Sequence, residues 1–389
     1  MGIINAQLLL TLRITALTND EISIIAVGDI MLGDHPVRLG NGVRSTIETV
    51  GAGLFSSETK KYLKGSADIV FGNLEVVLSD IGLIKGNIEK EEFRGSPLSI
   101  SVLTESGFNV LSVSNNHCMQ HGLEAFQETI ALLQKNGISP SGIKDTDGRC
   151  KPCMTTKQGI NMGLLSYSIR PEKYCKGDQI PYTVATEKDI IEEVRHFKKE
   201  IDIIIVSLHW GEEFVNHPSP SQIFFAHALV DAGVDLIIGH HPHLFQGIER
   251  YKNSTIVYSL GNFIFDHWQK YTRDTAILKA KFSKQGLMHF ELLPAHINDC
   301  FQPILRYGDD LKDALNEIEY LNRIIENGLQ SIANTNIHYL EEEYRKLAKN
   351  KMLQHRWENY LYFIAHIYKY RPNIVFKSLM RAVLRRLKG

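Results

Sequence analysis

From residue 22 to about residue 297 the chain repeats one pattern: a short run rich in Ile, Val and Leu stops abruptly at Gly, Asn, Asp or His. Residues 22–27 precede Gly28-Asp29, 69–71 precede Gly72-Asn73-Leu74-Glu75, and 110–113 precede Ser114-Asn115-Asn116-His117. Residues 201–208 precede His209-Trp210-Gly211, 234–238 precede Gly239-His240-His241-Pro242-His243, and 256–260 precede Gly261-Asn262. Continuous apolar runs predict strands buried on both faces, and helical spacing after several of them predicts an α/β layered fold. Residues 275–282 and 286–293 alternate instead, which predicts a late antiparallel hairpin.

After Pro303 the period changes. Leu311, Leu315, Ile318, Leu321, Ile325 and Leu329 keep helical spacing, and a second, mostly polar helical stretch runs from about 337 to 370 and is expected to end at Pro372. The last segment places Phe376, Leu379, Val383 and Leu387 on one side, with Lys377, Arg381, Arg385, Arg386 and Lys388 on or beside that face. The expected organisation is an N-terminal tail (1–20), an α/β domain (21–300) and a helical C-terminal extension (301–389) with a basic amphipathic end.

Composition narrows the class. A hydrophobic fraction of 43%, a charged fraction of 22% and a net charge of -1 describe a soluble globular chain with no global field for nucleic acid. Five scattered cysteines do not make a disulfide scaffold, and Cys150-Lys-Pro-Cys153 is a lone CxxC with no second pair to complete a zinc ribbon. The opening 17 residues lack a basic start and are interrupted by Arg13, so they do not read as a signal peptide. The expected location is cytoplasmic, with a peripheral place on the inner membrane face left open by the basic C-terminal segment.

The polar residues all stand where strands end, the edge at which open α/β sheets bind ligands. Seven of the sixteen histidines lie between His209 and His267, three of them in Gly239-His240-His241-Pro242-His243. Asp29 offers a hard anionic ligand after a turn-permitting glycine, with Asp34 and His35 behind it, and its alternative is an Asx-turn or helix cap. Glu75 has two oxygens with which to bridge cations, and Asn116 has an amide oxygen. His117 can give a proton to a leaving group or steady the attacked centre. Arg94 is the candidate anion clamp, with an ordinary surface arginine as its alternative. Trp210 reads as structural, and Glu212 and Glu213 as loop charges of which either could touch the site. Such a set suits one or two Mn²⁺, Zn²⁺ or Fe²⁺ ions and points to metal-assisted hydrolysis; no P-loop, GxSxG or GxGxxG motif competes.

Gly28-Asp29-Ile30-Met31-Leu32, Gly72-Asn73-Leu74-Glu75, Phe93-Arg94, Asn115-Asn116-His117, His209-Trp210-Gly211, Gly239-His240-His241-Pro242-His243 and Ser259-Leu260-Gly261-Asn262-Phe263 occur in that order. The series resembles the bacterial capsule-synthesis family associated with poly-γ-glutamate, a branch of the calcineurin-like metallophosphoesterase superfamily, over residues 22–297. The resemblance implies a four-layered α/β/β/α sandwich. It also implies that Asp29, Glu75, Asn116, His209, His240, His241 and His243 are metal ligands, that His117 is catalytic, and that Arg94 and Asn262 face substrate. This chain departs from the pattern at Met31, where the superfamily carries histidine, and at Gln120, where an acidic residue often stands. The implied function is hydrolysis of a phosphoester or an anionic polymer in capsule biosynthesis. The alternative is a non-catalytic polyanion-binding accessory of a membrane-associated synthesis or export complex, docked through the C-terminal helices.

Overall fold

A computed structural model of the chain describes residues 11–13, 20–175 and 180–387. Most of the opening segment and Lys388 lie outside these residues. Two sheets form the centre. The first runs Thr11–Arg13, Gly286–Ile297, Asp274–Ser283, Ile22–Ile30, Ile69–Leu74, Val110–Ser112, Ser139–Ser141, with Asn262–Ile264 also paired to Ile22–Ile30. The second runs Ile248–Tyr251, Ser254–Val257, Leu236–His240, Ile203–His209, Ile160–Ser168, Cys153–Lys157. Around the site-bearing strands the pairing is mostly parallel, with antiparallel hairpins at the edges.

Three apolar layers separate four layers of structure. Ile22, Ile24, Phe71 and Val110 of the first sheet meet Met162, Leu164, Ile203, Ile205 and Ile238 of the second. The outer face of the first sheet (Ile25, Val27, Val70, Leu111) packs on Val43, Leu63, Leu103 and Phe126 from its helices. The outer face of the second (Leu165, Ile204, Val206, Ile237) packs on Ile190, Val194, Phe225 and Leu229. Alternate side chains of each strand therefore serve different cores, which is why these strands read as unbroken apolar runs. The architecture is the four-layered α/β/β/α sandwich.

Three features depart from the sequence reading. The strand Ile160–Ser168, next to the edge of the second sheet, lay outside the six runs. The run 256–260 is split: Ser254–Val257 belongs to the second sheet, and after a turn at Gly261 (φ 69°) the chain joins the first as Asn262–Ile264. The helix expected to end at Pro372 ends at Ala365, and Pro372 instead opens the last helix, Pro372–Leu387, since a missing N–H costs nothing in a helix's first turn.

The C-terminal helices are fastened to the sandwich. Gly308–Asn334 sends Ile318 and Leu321 into the inter-sheet core, and Asn322 Oδ1 accepts from Ile248 N at 2.7 Å. Ile337–Ala365 packs Tyr344 and Ala348 on Val215, and stacks His355 on Phe214 with ring centroids 3.7 Å apart. Pro372–Leu387 is held through Ile374 against Leu39, Ile88, Phe363 and Tyr370. No helix among the described residues is long and apolar enough to cross a membrane.

Candidate metal centre

The carboxyl ends of five parallel strands, three from one sheet and two from the other, meet at one rim. In the first sheet Asp29 lies beside Asn73 on one side and Asn262 on the other, and in the second His209 lies beside His240. Asp29 is aimed by a register shift between Ala26 and Asp29, a bulge of the kind that redirects a side chain. Gly28 makes the bulge possible. A Cβ there would stand 2.0 Å from the Gly261 carbonyl oxygen, which accepts from Asp29 N at 2.9 Å. The histidine loop turns through His241 (φ 96°) and His243 (φ 57°), left-handed backbone that non-glycine residues adopt at a cost and that clusters at functional sites.

Asp29 is fully buried. Its Oδ1 accepts from Asn73 Nδ2 at 2.8 Å and lies 3.2 Å from His240 Nδ1; its Oδ2 accepts from His241 N at 3.2 Å and lies 3.5 Å from His243 Nδ1. Glu75 Oε1 is 3.5 Å from His209 Nε2 and 4.0 Å from His243 Nε2. His209 Nε2 is 2.7 Å from Asn116 Oδ1, and His241 Nε2 is 4.0 Å from Glu213 Oε1. Three overlapping triads, Asp29/Glu75/His243, Glu75/His209/His241 and Glu213/His241/His243, each hold one ligand atom per residue within 4.8 Å of one another.

Burial and the charges of neighbouring groups set the electrostatics of the cluster. Burial works to raise the Asp29 carboxyl, yet the neighbouring His240 and His243 hold it well below the usual range. Burial, reinforced by the Asp29 charge, pushes Glu75 well above its ordinary value. His243 would be lowered by burial but is held up to about 10 by Glu75 and Asp29. His209 and His241 are driven well below 6.5 by burial and are neutral, the form in which imidazole binds a metal. Both oxygens of Glu75 and both ring nitrogens of His240 and His241 are buried without a hydrogen-bond partner. A buried unpaired polar atom costs about 1–3 kcal/mol; the Glu75 and His241 atoms belong to the triads, and a divalent cation, which the carboxylate–imidazole set fits, would offset that cost.

Some expected residues have other work. The Arg94 guanidinium is buried, and its Nη1 donates to the Ser79 and Ile81 carbonyls at 3.0 and 2.7 Å, so the structure does not bring it to the cluster as a clamp. Asn262 is fully buried, with Oδ1 3.0 Å from His243 Nδ1 and Nδ2 donating to the Thr272 carbonyl at 3.1 Å; it orients His243 instead of facing open space. Asp34 is bound to Ser45 and Gly40, and Glu212 pairs with Arg170 at 3.0 Å. Met31 lies in the core and its Sδ accepts from Gly33 N. Trp210 is buried, donates to the Tyr258 carbonyl and stacks on that ring. Burial pushes the Cys150 thiol up to about 12 and raises that of Cys153 as well, which disfavours the thiolates that a use of the CxxC would need.

The sequence reading passed over other residues. Asn73 joins Asp29 to His209, and Asn115 donates to both the Asn73 amide oxygen and the Leu74 carbonyl. Both amides stand within two residues of residues that were singled out, which is the signal that could have found them. His267 packs edge-on to His243, and His355 packs on His267 from the C-terminal helix.

His355 gives a pH test of how the extension is seated. Wedged among Gln269, Tyr271 and Asn359, it is lowered to about 3 by burial and by the charge of His243. The unfolded chain takes up this proton below about 6.5 and the folded chain refuses it, so the contribution is complete above 6.5 and is lost as pH falls from there. At pH 5 the expected loss from this ring is about 2 kcal/mol relative to pH 7. Denaturant midpoints at the two pH values should draw closer together in His355→Gln; an unchanged difference would contradict this seat.

The profile of the family described as "Bacterial capsule synthesis protein PGA_cap" matches residues 23–267. The chain belongs to this family. It is 30% identical over 293 residues to "PGA biosynthesis protein CapA" of Bacillus subtilis, covering 74% of this chain and 75% of that one. To "Capsule biosynthesis protein CapA" of Bacillus anthracis it is 30% identical over 297 residues, covering 72% and 69%. A 5'-nucleotidase precursor from Thermus thermophilus is similar over 77% of this chain and 58% of its own, at 10% identity and a TM-score of 0.44, a likeness too remote to transfer an activity. The match to this PGA_cap member spans the strands that carry every candidate ligand.

Proposed function

We propose that this chain is a divalent-metal-dependent hydrolase, acting on a phosphoester or an amide-linked anionic polymer, in the assembly of a poly-γ-glutamate-type surface polymer. The observation that carries the reading is the convergence of Asp29, Glu75, His209, His241 and His243, several with orphaned donor atoms, at the ends of strands from both sheets. These five would hold one or two cations of the Mn, Zn or Fe class, with Asn116, His240 and Glu213 alongside. When bound, such a cation supplies Lewis acidity for an anionic oxygen and activates water near neutral pH.

The rest is the work of the side chains. His117 Nδ1 donates to Gln120 Oε1 at 2.6 Å, which leaves Nε2 as the proton-exchanging atom of the ring. Burial lowers His117 to about 4, so at neutral pH it starts without the proton that a leaving group would need. It therefore acts first as acceptor, taking a proton from the attacking water and returning it to the leaving oxygen or nitrogen. Phe93, 4.4 Å from the His117 ring, keeps that side dry. The relatives named for capsule and PGA biosynthesis support an anionic polymer as the material handled.

Purified chain reconstituted with Mn²⁺, Zn²⁺ or Fe²⁺ should cleave a generic phosphodiester or shorten poly-γ-glutamate, and chelation should stop it. Metal-loaded protein that binds the polymer without cleaving either compound would favour the second reading, a polyanion-binding accessory, which the core position of Met31 in place of a ligand already favours.

A further inference from the structure

The C-terminal helices carry an apolar face that no part of the described chain covers. On Ile337–Ala365 the residues packed on the sandwich are Tyr344, Ala348, His355 and Phe363. On the opposite side of its second half stand Leu353, Trp357, Leu361 and Ile364, which at about 100° per residue fall within roughly 80° of one another. Trp357 is 56% exposed and Leu361 62%. Exposed apolar residues follow in sequence at Ile367 and Tyr368 (76% exposed) and, on the last helix, at Phe376 (66%), Leu379 and Met380, on the side away from the buried Ile374. Isolated exposed apolar residues are ordinary; a continuous run of leucine, isoleucine and aromatics is not.

The charge around the stripe selects its partner. From residue 349 onward the sequence holds ten Lys and Arg and a single acid, Glu358. That acid is occupied by Tyr271 and Gln354. Lys349, Lys351 and Arg356 are exposed and form no ion pair among the described residues; Lys369 and Arg371 lie between the two helices, Arg371 3.7 Å from Glu91. A soluble polyanion would satisfy the cations but give nothing to Leu353, Leu361, Ile364 and Phe376. A second copy of the chain would bring the same positive charge against itself. A bilayer rich in anionic headgroups meets both requirements, taking up the apolar and aromatic side chains at the acyl boundary while the Lys and Arg side chains reach the phosphates.

We infer that this face is a peripheral docking surface for an anionic lipid bilayer, one that holds the strand-end cleft close to the membrane. It stands whether or not the metal centre turns over. The test is co-sedimentation of the full chain with vesicles of phosphatidylcholine alone and of phosphatidylcholine mixed with phosphatidylglycerol, at low and high salt. Binding is expected on the mixed vesicles only, weakened by salt, and reduced at least about tenfold in Trp357→Ser/Leu361→Ser/Phe376→Ser. These side chains are exposed, so an unchanged thermal midpoint should certify the fold of the variant. Absence of binding to mixed vesicles, equal binding by the variant, or dimerisation or capture of soluble polyglutamate lost through the same three substitutions would overturn the inference.

Discussion

Asp29→Ala is expected to abolish stoichiometric metal uptake and to lower kcat/KM by at least about 10³-fold while the chain stays folded. Asp29 is the hub of the cluster: His240, His243, Asn73 and the His241 backbone all touch its two oxygens. Glu75 and Glu213 also reach the cluster, but neither makes the contacts with His240, Asn73 and the His241 backbone that fix Asp29. Its removal also relieves the repulsion that pushes Glu75 upward, so Glu75 ionises more readily and the loss of affinity expected here is that of the Asp29 oxygens themselves. Elemental analysis after dialysis, run beside turnover and a thermal melt, checks all three statements. Full metal content in a folded Asp29→Ala protein would contradict them.

His117→Ala should separate binding from chemistry. Neither His117 ring nitrogen belongs to the ligand triads, so metal content should be unchanged while kcat falls by roughly 10²–10⁴-fold, the usual worth of a positioned proton carrier. The pH profile carries the sign. As a base lowered to about 4, His117 is competent above that value, and its contribution is lost as pH falls through it. The wild-type acid limb should therefore be missing from the variant. Loss of metal together with activity would place His117 in the coordination shell instead.

How much of this could be read from the sequence depended on whether function and periodicity coincided. The strands bearing Asp29, Glu75, Asn116, His209 and the 240–243 histidines were legible because each is buried on both faces and stops at a polar residue. Ile160–Ser168 was not, because its polar and glycine positions, Asn161, Gly163 and Ser166, break the apolar run, and its partner Cys153–Lys157 is a half-exposed edge strand. Arg94 looked like a clamp because a guanidinium's partners are invisible in sequence, and here they are backbone carbonyls. Asn262 was expected to face substrate, and only coordinates show that its amide lies on His243. His355 sits in a helix otherwise read as mostly polar, and only tertiary packing brings it to Phe214 and His267.

The central claim is that acid and imidazole groups from both sheets grip a cation, and anomalous diffraction from crystals soaked in Mn²⁺ tests it most directly. The account predicts an anomalous peak bounded by Asp29, Glu75, His209, His241 and His243. Crystals with no peak among these residues, or with a peak only at surface carboxylates, would contradict it.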